Sequence, residues 1–301
     1  MSNPSQQWNV LSLLEWTSNH LAEKGFDEAR LHVELLLAHV LRLKRLDLYL
    51  QFDRPLSPEE LSQFRRLYER RLKHEPLQYI LGETEFMGVR LEVASGVLIP
   101  RPETELLVER ALEVVRDRRW ERPEILDIGC GAGNIGVPLA KRFPAGTVWS
   151  VDRDPLALDL TKRNAELHNI GNMKFMQMDI LHDTFMEHRF DLILSNPPYI
   201  PSVEMAGLQQ EVRDFEPAAA LTDGGDGFAF YKRYAEILPA LLNPEGVVLV
   251  EVGYAQAAEV SEIFAAAGLG HILRHTDFGG IERAVEAWKQ RGQNGLEEGH
   301  S

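Results

Sequence analysis

Residues 127–133 have the sequence Asp-Ile-Gly-Cys-Gly-Ala-Gly and follow a short apolar segment, residues 125–128. Glycines at the end of a buried strand let the chain turn sharply and let a ligand lie against bare main chain. Further short apolar segments, with helical patterns between them, occur at 147–151, 174–178, 192–195 and 247–252. This alternation predicts an α/β fold with a mostly parallel sheet covered by helices on both faces.

The regions on either side of this alternation have other patterns. Residues 8 to about 75 carry apolar residues at helical spacing and predict a small helical bundle. Residues 77–100 are short apolar stretches punctuated by glycines, of which 89–93 alternates at period two, and they predict a β-hairpin. Residues from about 270 to 288 predict two edge strands. The predicted domains are 1–75 (helical), 76–100 (β-hairpin linker) and 101–289 (α/β), followed by a polar tail, 290–301, expected to be disordered.

Composition narrows the class of protein. The 301 residues carry a formal net charge of -14, whereas a protein that grips a nucleic-acid backbone usually has a basic surface. One cysteine excludes an internal disulfide and a thiolate-rich zinc site, and the histidine spacings indicate no metal site. No apolar run approaches the roughly 18 to 20 residues that span a bilayer, and no secretory signal pattern is present. We therefore expect a cytoplasmic protein that acts on a protein or a small molecule.

The glycine loop and the acid that follows the next strand suggest a nucleoside site. A carboxylate at Asp152 can accept both hydroxyls of an adenosine ribose. Gly131, Gly133 and Gly136 also fit a dinucleotide fingerprint, so S-adenosylmethionine, NAD and a purely structural turn all remain open here. Asp127 favours S-adenosylmethionine, because an acid before the first glycine suits a cationic aminoacyl group.

The sequence Ser195-Asn196-Pro197-Pro198-Tyr199 comes just after the fourth predicted strand, at the edge where α/β sheets bind ligands. The prolines fix the backbone and remove two N–H donors. The side-chain oxygen of Asn196 and the carbonyl of Pro197 can then accept both hydrogens of a planar –NH2 group, with Tyr199 against its face or edge. A chance Pro-rich turn is the alternative, but its coincidence with the glycine loop and Asp152 argues against it.

This arrangement suits one kind of chemistry. The nitrogen lone pair of an amide or exocyclic amine is delocalised, so the nitrogen is a poor nucleophile. Two acceptors that hold both N–H bonds favour a geometry in which this lone pair faces a sulfonium methyl. In-line transfer then depends on positioning and electrostatics. The nitrogen becomes acidic only as it is alkylated, so neither a strong base nor a metal is needed beforehand.

These motifs, taken together, resemble those of the release-factor glutamine N5-methyltransferase family (HemK/PrmC-like), over nearly the whole chain. The most specific shared block is Ile-Pro-Arg-Pro-Glu-Thr-Glu at 99–105. The shared blocks are residues 85–86, 97–105, 129–133, 196–200, 215–217 and 223–227.

The resemblance implies a seven-stranded, Rossmann-like class I methyltransferase sheet, S-adenosylmethionine as cofactor, S-adenosylhomocysteine as product and no metal. It implies class-1 peptide chain release factors as partners, methylated on the glutamine of their G-G-Q motif, with no membrane and no direct nucleic-acid substrate. The cofactor contacts it implies are Asp127, Gly129, Cys130, Gly131, Ala132, Gly133, Asp152, Asp179, Ile180 and Asn196. The substrate contacts it implies are Asn196, Pro197, Pro198, Tyr199, Phe86 and Arg101, of which Asn196, Pro197 and Tyr199 are the catalytic group.

Two departures and several alternatives remain. Cys130 and Ala132 stand where Thr and Ser or Thr are common in the family, which bears only on cofactor affinity. A sister group methylates a glutamine of a ribosomal protein, and adenine N6 of DNA would satisfy the same acceptors; a NAD-binding or non-catalytic protein would leave the N-P-P-Y motif unexplained. The basic stretch 65–73 is either a solvated helix face or a contact for an acidic partner surface.

Overall fold

A computed structural model describes residues 8–183 and 188–289. Its described residues form two compact units, one of residues 8–82 and 210–215 and the other of 83–183, 188–209 and 216–289. The tail expected to be disordered, 290–301, lies outside the described residues.

The first unit is a helical bundle, as predicted. Its helix at residues 58–71 begins with a capping box, in which the Ser57 side chain accepts the N–H of Glu60 and the Glu60 carboxylate accepts the N–H of Ser57. Apolar side chains such as Leu14, Leu36 and Phe64 form its core. The helices of residues 8–82 are α1 (Val10–Glu23), α2 (Ala29–Leu41), a 3-10 helix (Arg45–Leu50), α3 (Pro58–Arg71) and α4 (Leu77–Leu81).

Helix α4 corrects one prediction, because the range expected to be a hairpin linker begins with this short helix. Leu77 and Ile80, three residues apart, are both buried. Gly82 ends the helix in the left-handed conformation, with φ 77°. The hairpin itself follows, with β1 (Glu83–Phe86) paired antiparallel to β2 (Val89–Glu92).

The second unit contains a seven-stranded sheet, which confirms the predicted fold class. The strand order is β5-β4-β3-β6-β7-β9-β8, with β3 to β7 parallel and β9 antiparallel to both of its neighbours. The strands are β3 (Glu124–Ile128), β4 (Thr147–Asp152), β5 (Met173–Gln177), β6 (Phe190–Ser195), β7 (Leu242–Glu251), β8 (His271–Thr276) and β9 (Glu282–Trp288).

Helices cover both faces of this sheet, which is why its central strands are largely apolar and buried. Side chains of α5 and α6 pack on one face, and those of α10 and α11 pack on the other. Helix α8 is grouped with the first unit. These helices are α5 (Glu105–Arg118), α6 (Gly136–Arg142), α7 (Pro155–Leu167), α8 (Gln210–Phe215), α9 (Ala218–Leu221), α10 (Ala229–Leu241) and α11 (Ala257–Ala266).

Two cations of the basic stretch 65–73 are paired inside the first unit. Arg70 contacts the Glu75 carboxylate through two nitrogens. Arg71 is buried, pairs with Glu211 of α8 at 2.9 Å and lies over the ring of Phe26. These two side chains therefore stabilise the bundle and do not form a free basic surface.

Candidate active site

A cavity lies at the carboxyl edge of the parallel strands, where β3, β4 and β6 end side by side. Its empty space, including the open mouth, is about 840 Å³. Eight of the predicted contacts line it: Gly129, Gly131, Asp152, Asp179, Ile180, Asn196, Pro197 and Pro198.

The glycine loop exposes main chain to this cavity. Gly129 and Gly131 adopt φ values of 76° and 54°, in the left-handed region that favours glycine. The loop is tied to the neighbouring strand, because the N–H groups of Gly129 and Cys130 both donate to the carbonyl of Val151. The loop thus forms a rigid wall without side chains, against which an extended ligand can lie.

Asp152 ends β4 and faces the cavity. Its Oδ2 accepts the N–H of Gly131 at 3.0 Å and its Oδ1 accepts the N–H of Asp154 at 2.9 Å. Burial raises the pKa of this carboxyl above its ordinary value, although both N–H donors act to lower it. Each oxygen keeps a lone pair toward the cavity, so the group can accept ribose hydroxyls.

Three of the other loop residues lie behind this wall. Cys130 is buried, burial raises the pKa of its thiol, and the Thr161 hydroxyl donates to its Sγ at 3.4 Å. Ala132 packs in a small apolar cluster with Leu160. A Cβ on Gly133 would lie 2.9 Å from Cγ2 of Val137, so this glycine permits close packing of the loop on the following helix.

Asp127 also lies beneath the cavity. It is fully buried, and its Oδ2 accepts the N–H of Gly136 at 3.0 Å. Burial raises the pKa of this carboxyl to about 7. Its side chain does not line the cavity among the described residues, so any influence on a cationic aminoacyl group acts through the loop and not by direct contact.

The N-P-P-Y motif follows β6 and forms another wall of the cavity. The Ser195 hydroxyl ties it to β3, donating to the carbonyl of Ile128 at 2.8 Å. Asn196 donates from Nδ2 to Oγ1 of Thr104 at 3.0 Å. Among the described residues no group donates to Asn196 Oδ1 or to the Pro197 carbonyl, and both residues line the cavity.

The main chain at Tyr199 is fixed from two sides. Gln256 donates from Nε2 to the Tyr199 carbonyl at 3.0 Å, while its Oε1 accepts the N–H of Gly253. Gly227 lies so close that a Cβ there would come within 2.3 Å of the same carbonyl oxygen. The N–H of Gly227 is held in turn by Asp223, which explains the Asp-Gly-Gly-Asp-Gly block of the sequence.

A buried carboxylate lies behind the motif. Glu251 accepts the hydroxyl of Thr104 at 2.6 Å and the hydroxyl of Tyr199 at 3.3 Å. The sequence reasoning missed Thr104, Glu251 and Gln256 as site residues. The available signal was Glu251 itself, an acid that directly follows the apolar run 247–250 at the end of β7.

The two predicted substrate contacts outside the N-P-P-Y motif, Arg101 and Phe86, lie in different environments. Arg101 is partly exposed and pairs with the buried carboxylate of Glu216 at 2.5 Å. The other oxygen of Glu216 accepts the N–H of Ile99 at 3.3 Å, so Glu216 fixes the loop that carries Arg101. Phe86 is 2% exposed, packs in the core with Leu107 and does not line the cavity.

Among residues 8–183 and 188–289, no group of three metal-ligating side chains converges. Within the same ranges, no helix is long and apolar enough to cross a membrane.

Comparison with known proteins agrees with this geometry. The model of the PrmC N-terminal domain matches residues 12–82, and that of the methyltransferase small domain matches residues 103–233. A release factor glutamine methyltransferase from Geobacter sulfurreducens is 45% identical over 95% of this chain and 98% of its own. A protein of the same name from Chlorobaculum tepidum is 41% identical over 94% and 98%, and one from Bacillus subtilis 38% over 92% and 96%.

The chain belongs to the release factor glutamine methyltransferase family. The resemblance inferred from the sequence blocks is therefore confirmed, and the chain is a methyltransferase. A NAD-binding or non-catalytic role is excluded by this membership. Membership covers both units, since the matched relatives align over nearly the entire chain.

Proposed function

We propose that the chain transfers a methyl group from S-adenosylmethionine to the side-chain amide nitrogen (N5) of the glutamine in the G-G-Q motif of class-1 release factors. The observation that carries this proposal is the pair of acceptors at Asn196 and Pro197, which matches the two hydrogens of a primary amide. The name shared by the relatives supports the release factor as substrate.

The residues present fit S-adenosylmethionine. The cofactor lies against the wall at Gly129 and Gly131, which carries no side chains. Asp152 accepts the ribose hydroxyls, and Ile180, which follows Asp179, borders the adenine. The bound cofactor supplies an electrophilic sulfonium methyl and leaves as S-adenosylhomocysteine. We propose no metal in this reaction.

The protein contributes orientation and electrostatics. Asn196 Oδ1 and the Pro197 carbonyl each accept one N–H of the substrate amide, which holds its plane and turns the nitrogen lone pair toward the methyl group. As the nitrogen takes the methyl group it acquires positive charge, and the same two oxygens stabilise that charge. The alkylated nitrogen then becomes acidic and loses one of its two protons to solvent water at the open mouth of the cavity.

We propose that Tyr199 packs against the flat substrate amide while its hydroxyl stays on Glu251. We propose that Arg101, whose guanidinium is held by Glu216, binds a main-chain carbonyl of the substrate. We propose further that the helical unit contributes to recognition of the release factor and that the enzyme acts in the cytoplasm, without membrane or nucleic-acid substrate.

A methyl-transfer assay with labelled S-adenosylmethionine tests the proposal. The acceptors are a purified class-1 release factor, its variant with alanine in place of the G-G-Q glutamine, a ribosomal protein substrate and unmethylated DNA. A gain of one methyl group on the unmodified release factor alone is the expected result. Label on the ribosomal protein would redirect the substrate assignment, and label on DNA would make the N-P-P-Y motif a nucleobase site.

A further inference from the structure

The buried side chain of Glu251 accepts hydrogen bonds from two hydroxyl groups. Its side chain lies at the end of β7 and is 2% exposed. Oε2 accepts from Thr104 Oγ1 at 2.6 Å, and Oε1 accepts from Tyr199 at 3.3 Å. An ionised carboxylate can only accept, so the hydroxyl protons of Thr104 and Tyr199 are both committed to Glu251.

This commitment determines which way the amide of Asn196 faces. A threonine hydroxyl has a single proton, and Thr104 uses it to donate a hydrogen bond to Glu251. The group 3.0 Å from Thr104 Oγ1 must then be the NH2 of Asn196, and Oδ1 is left for the cavity. Were the Thr104 proton free, it could donate to Oδ1 instead. The amide would then turn round and present N–H groups to a substrate that itself offers N–H groups.

We propose that Glu251 and Thr104 are positioning residues that fix Asn196 as an acceptor, and that they thereby select a substrate nitrogen bearing two hydrogens. The proposal rests on the proposed function, because it explains how the proposed active site distinguishes a primary amide, which donates two N–H groups, from a substrate group that offers hydrogen-bond acceptors. Neither side chain touches the reacting atoms; both act through Asn196.

The protonation state of Glu251 then controls this orientation. Burial raises the pKa of Glu251 to about 7; Glu103 also raises it, while the hydroxyls of Thr104 and Tyr199 and the charge of Arg283 lower it. Its main-chain carbonyl accepts the hydroxyl of Tyr231. A protonated Glu251 can donate to Thr104 and release the Thr104 proton toward Asn196. Turnover is therefore expected to rise with pH as Glu251 ionises.

Four variants of the full chain test the proposal. Thr104→Val removes the acceptor for Asn196, Thr104→Ser keeps it, and Glu251→Gln replaces the carboxylate with a group that can donate as well as accept. Glu286→Gln is the matched control, a buried carboxylate of β9 that is held by Arg110 and His275 and lies outside the Asn196 network.

The substitutions that disturb the network are expected to lower the rate of turnover and to leave binding unchanged. Thr104→Val and Glu251→Gln lower kcat on the order of tenfold or more, with KM for release factor and Kd for S-adenosylmethionine within about twofold of wild type. Thr104→Ser and Glu286→Gln retain kcat, and Glu251→Gln loses the rise of kcat with pH. A kcat unchanged in Thr104→Val, or lowered equally in Glu286→Gln, would overturn the proposal.

A readout independent of methyl transfer is the side-chain amide signal of Asn196. In protein labelled with 15N-asparagine, this signal is identified by its loss in Asn196→Ser. The proposal predicts that it shifts and exchanges faster in Thr104→Val and Glu251→Gln, and that it is restored in Thr104→Ser. An unshifted signal in both variants contradicts the proposal. Failure of the wild-type enzyme to methylate any glutamine would overturn the proposed function, while this signal still decides the amide orientation.

Discussion

The Nε2 of Gln256 donates to the main-chain carbonyl of Tyr199 across 57 residues of sequence, at 3.0 Å. The same carbonyl oxygen lies against Gly227, where a Cβ would come within 2.3 Å of it. The position of Tyr199 is thus set by contacts to its main-chain carbonyl, and the residues that make them follow it in the chain.

Substitution of Gly227 tests this constraint. Gly227→Ala is expected to displace the Tyr199 carbonyl and lower kcat on the order of tenfold, because small misplacements at a reacting centre are costly. Gly224→Ala is the matched control. Gly224 also has a positive φ, 80°, but its Cβ would meet no atom within 4 Å. Both variants carry the backbone strain of a positive φ, and urea unfolding measures how much stability each one loses. Only Gly227→Ala should also lose turnover in the methyl-transfer assay.

The carboxylate of Asp152 is expected to determine cofactor affinity. Asp152→Asn keeps an acceptor for the N–H of Gly131 but loses the negative charge, so titration calorimetry should show S-adenosylmethionine binding weakened about tenfold or more, as for a lost charged hydrogen bond. Asp159→Asn, at an exposed position on α7, should bind as wild type does. Equal affinity in the two variants would remove Asp152 from the cofactor site.

The pair between Arg101 and Glu216 is expected to contribute to stability as well as to substrate binding. Arg101→Met leaves the Glu216 carboxylate buried without its cation, which typically costs about 3–5 kcal/mol and less where the partner is partly exposed, as Arg101 is. Urea unfolding should therefore show a larger loss than for Arg116→Met, whose pair with Asp117 is exposed on both sides. A loss no larger than that of Arg116→Met would show that Glu216 does not need Arg101.

The buried acid Asp127 should make stability depend on pH in a defined direction. Its pKa is raised from 3.8 to about 7 in the folded protein, so between about pH 4 and 7 the unfolded chain has released a proton that the fold retains. The contribution of Asp127 to stability therefore falls as pH rises through this window. Asp127→Asn should therefore gain stability relative to wild type as pH rises from 4 to 7, which urea unfolding across this range measures. A difference between the two proteins that does not change with pH would contradict the raised pKa of Asp127.

The sheet and the main motifs could be predicted because each depends on neighbouring residues. Short apolar runs bounded by glycine, proline or an acid give strands such as β3 and β4, and the motif that follows each strand then lies at its carboxyl end. Helix α4 was missed because five residues give too little periodicity to separate a helix turn from a strand.

The supporting contacts could not be predicted in this way. The hydrogen bond from Thr104 to Glu251 joins residues 147 positions apart, and nothing in their local sequence pairs them. The inclusion of Cys130 and Ala132 among the cofactor contacts came from the motif as a block. Only the three-dimensional arrangement shows that alternate loop residues, Gly129 and Gly131, face the cavity.

The enclosure of Cys130 has a practical consequence for fluorescence work. It is the one cysteine of the sequence, and burial both shields its thiol and raises the thiol pKa, so labelling reagents should leave it unmodified in the native protein. A cysteine introduced at Val203, which is 86% exposed and lies four residues beyond Tyr199, would then carry a dye alone. A change in the emission of such a dye on addition of a release factor would test whether the proposed substrate binds near this position, in an otherwise unmodified enzyme.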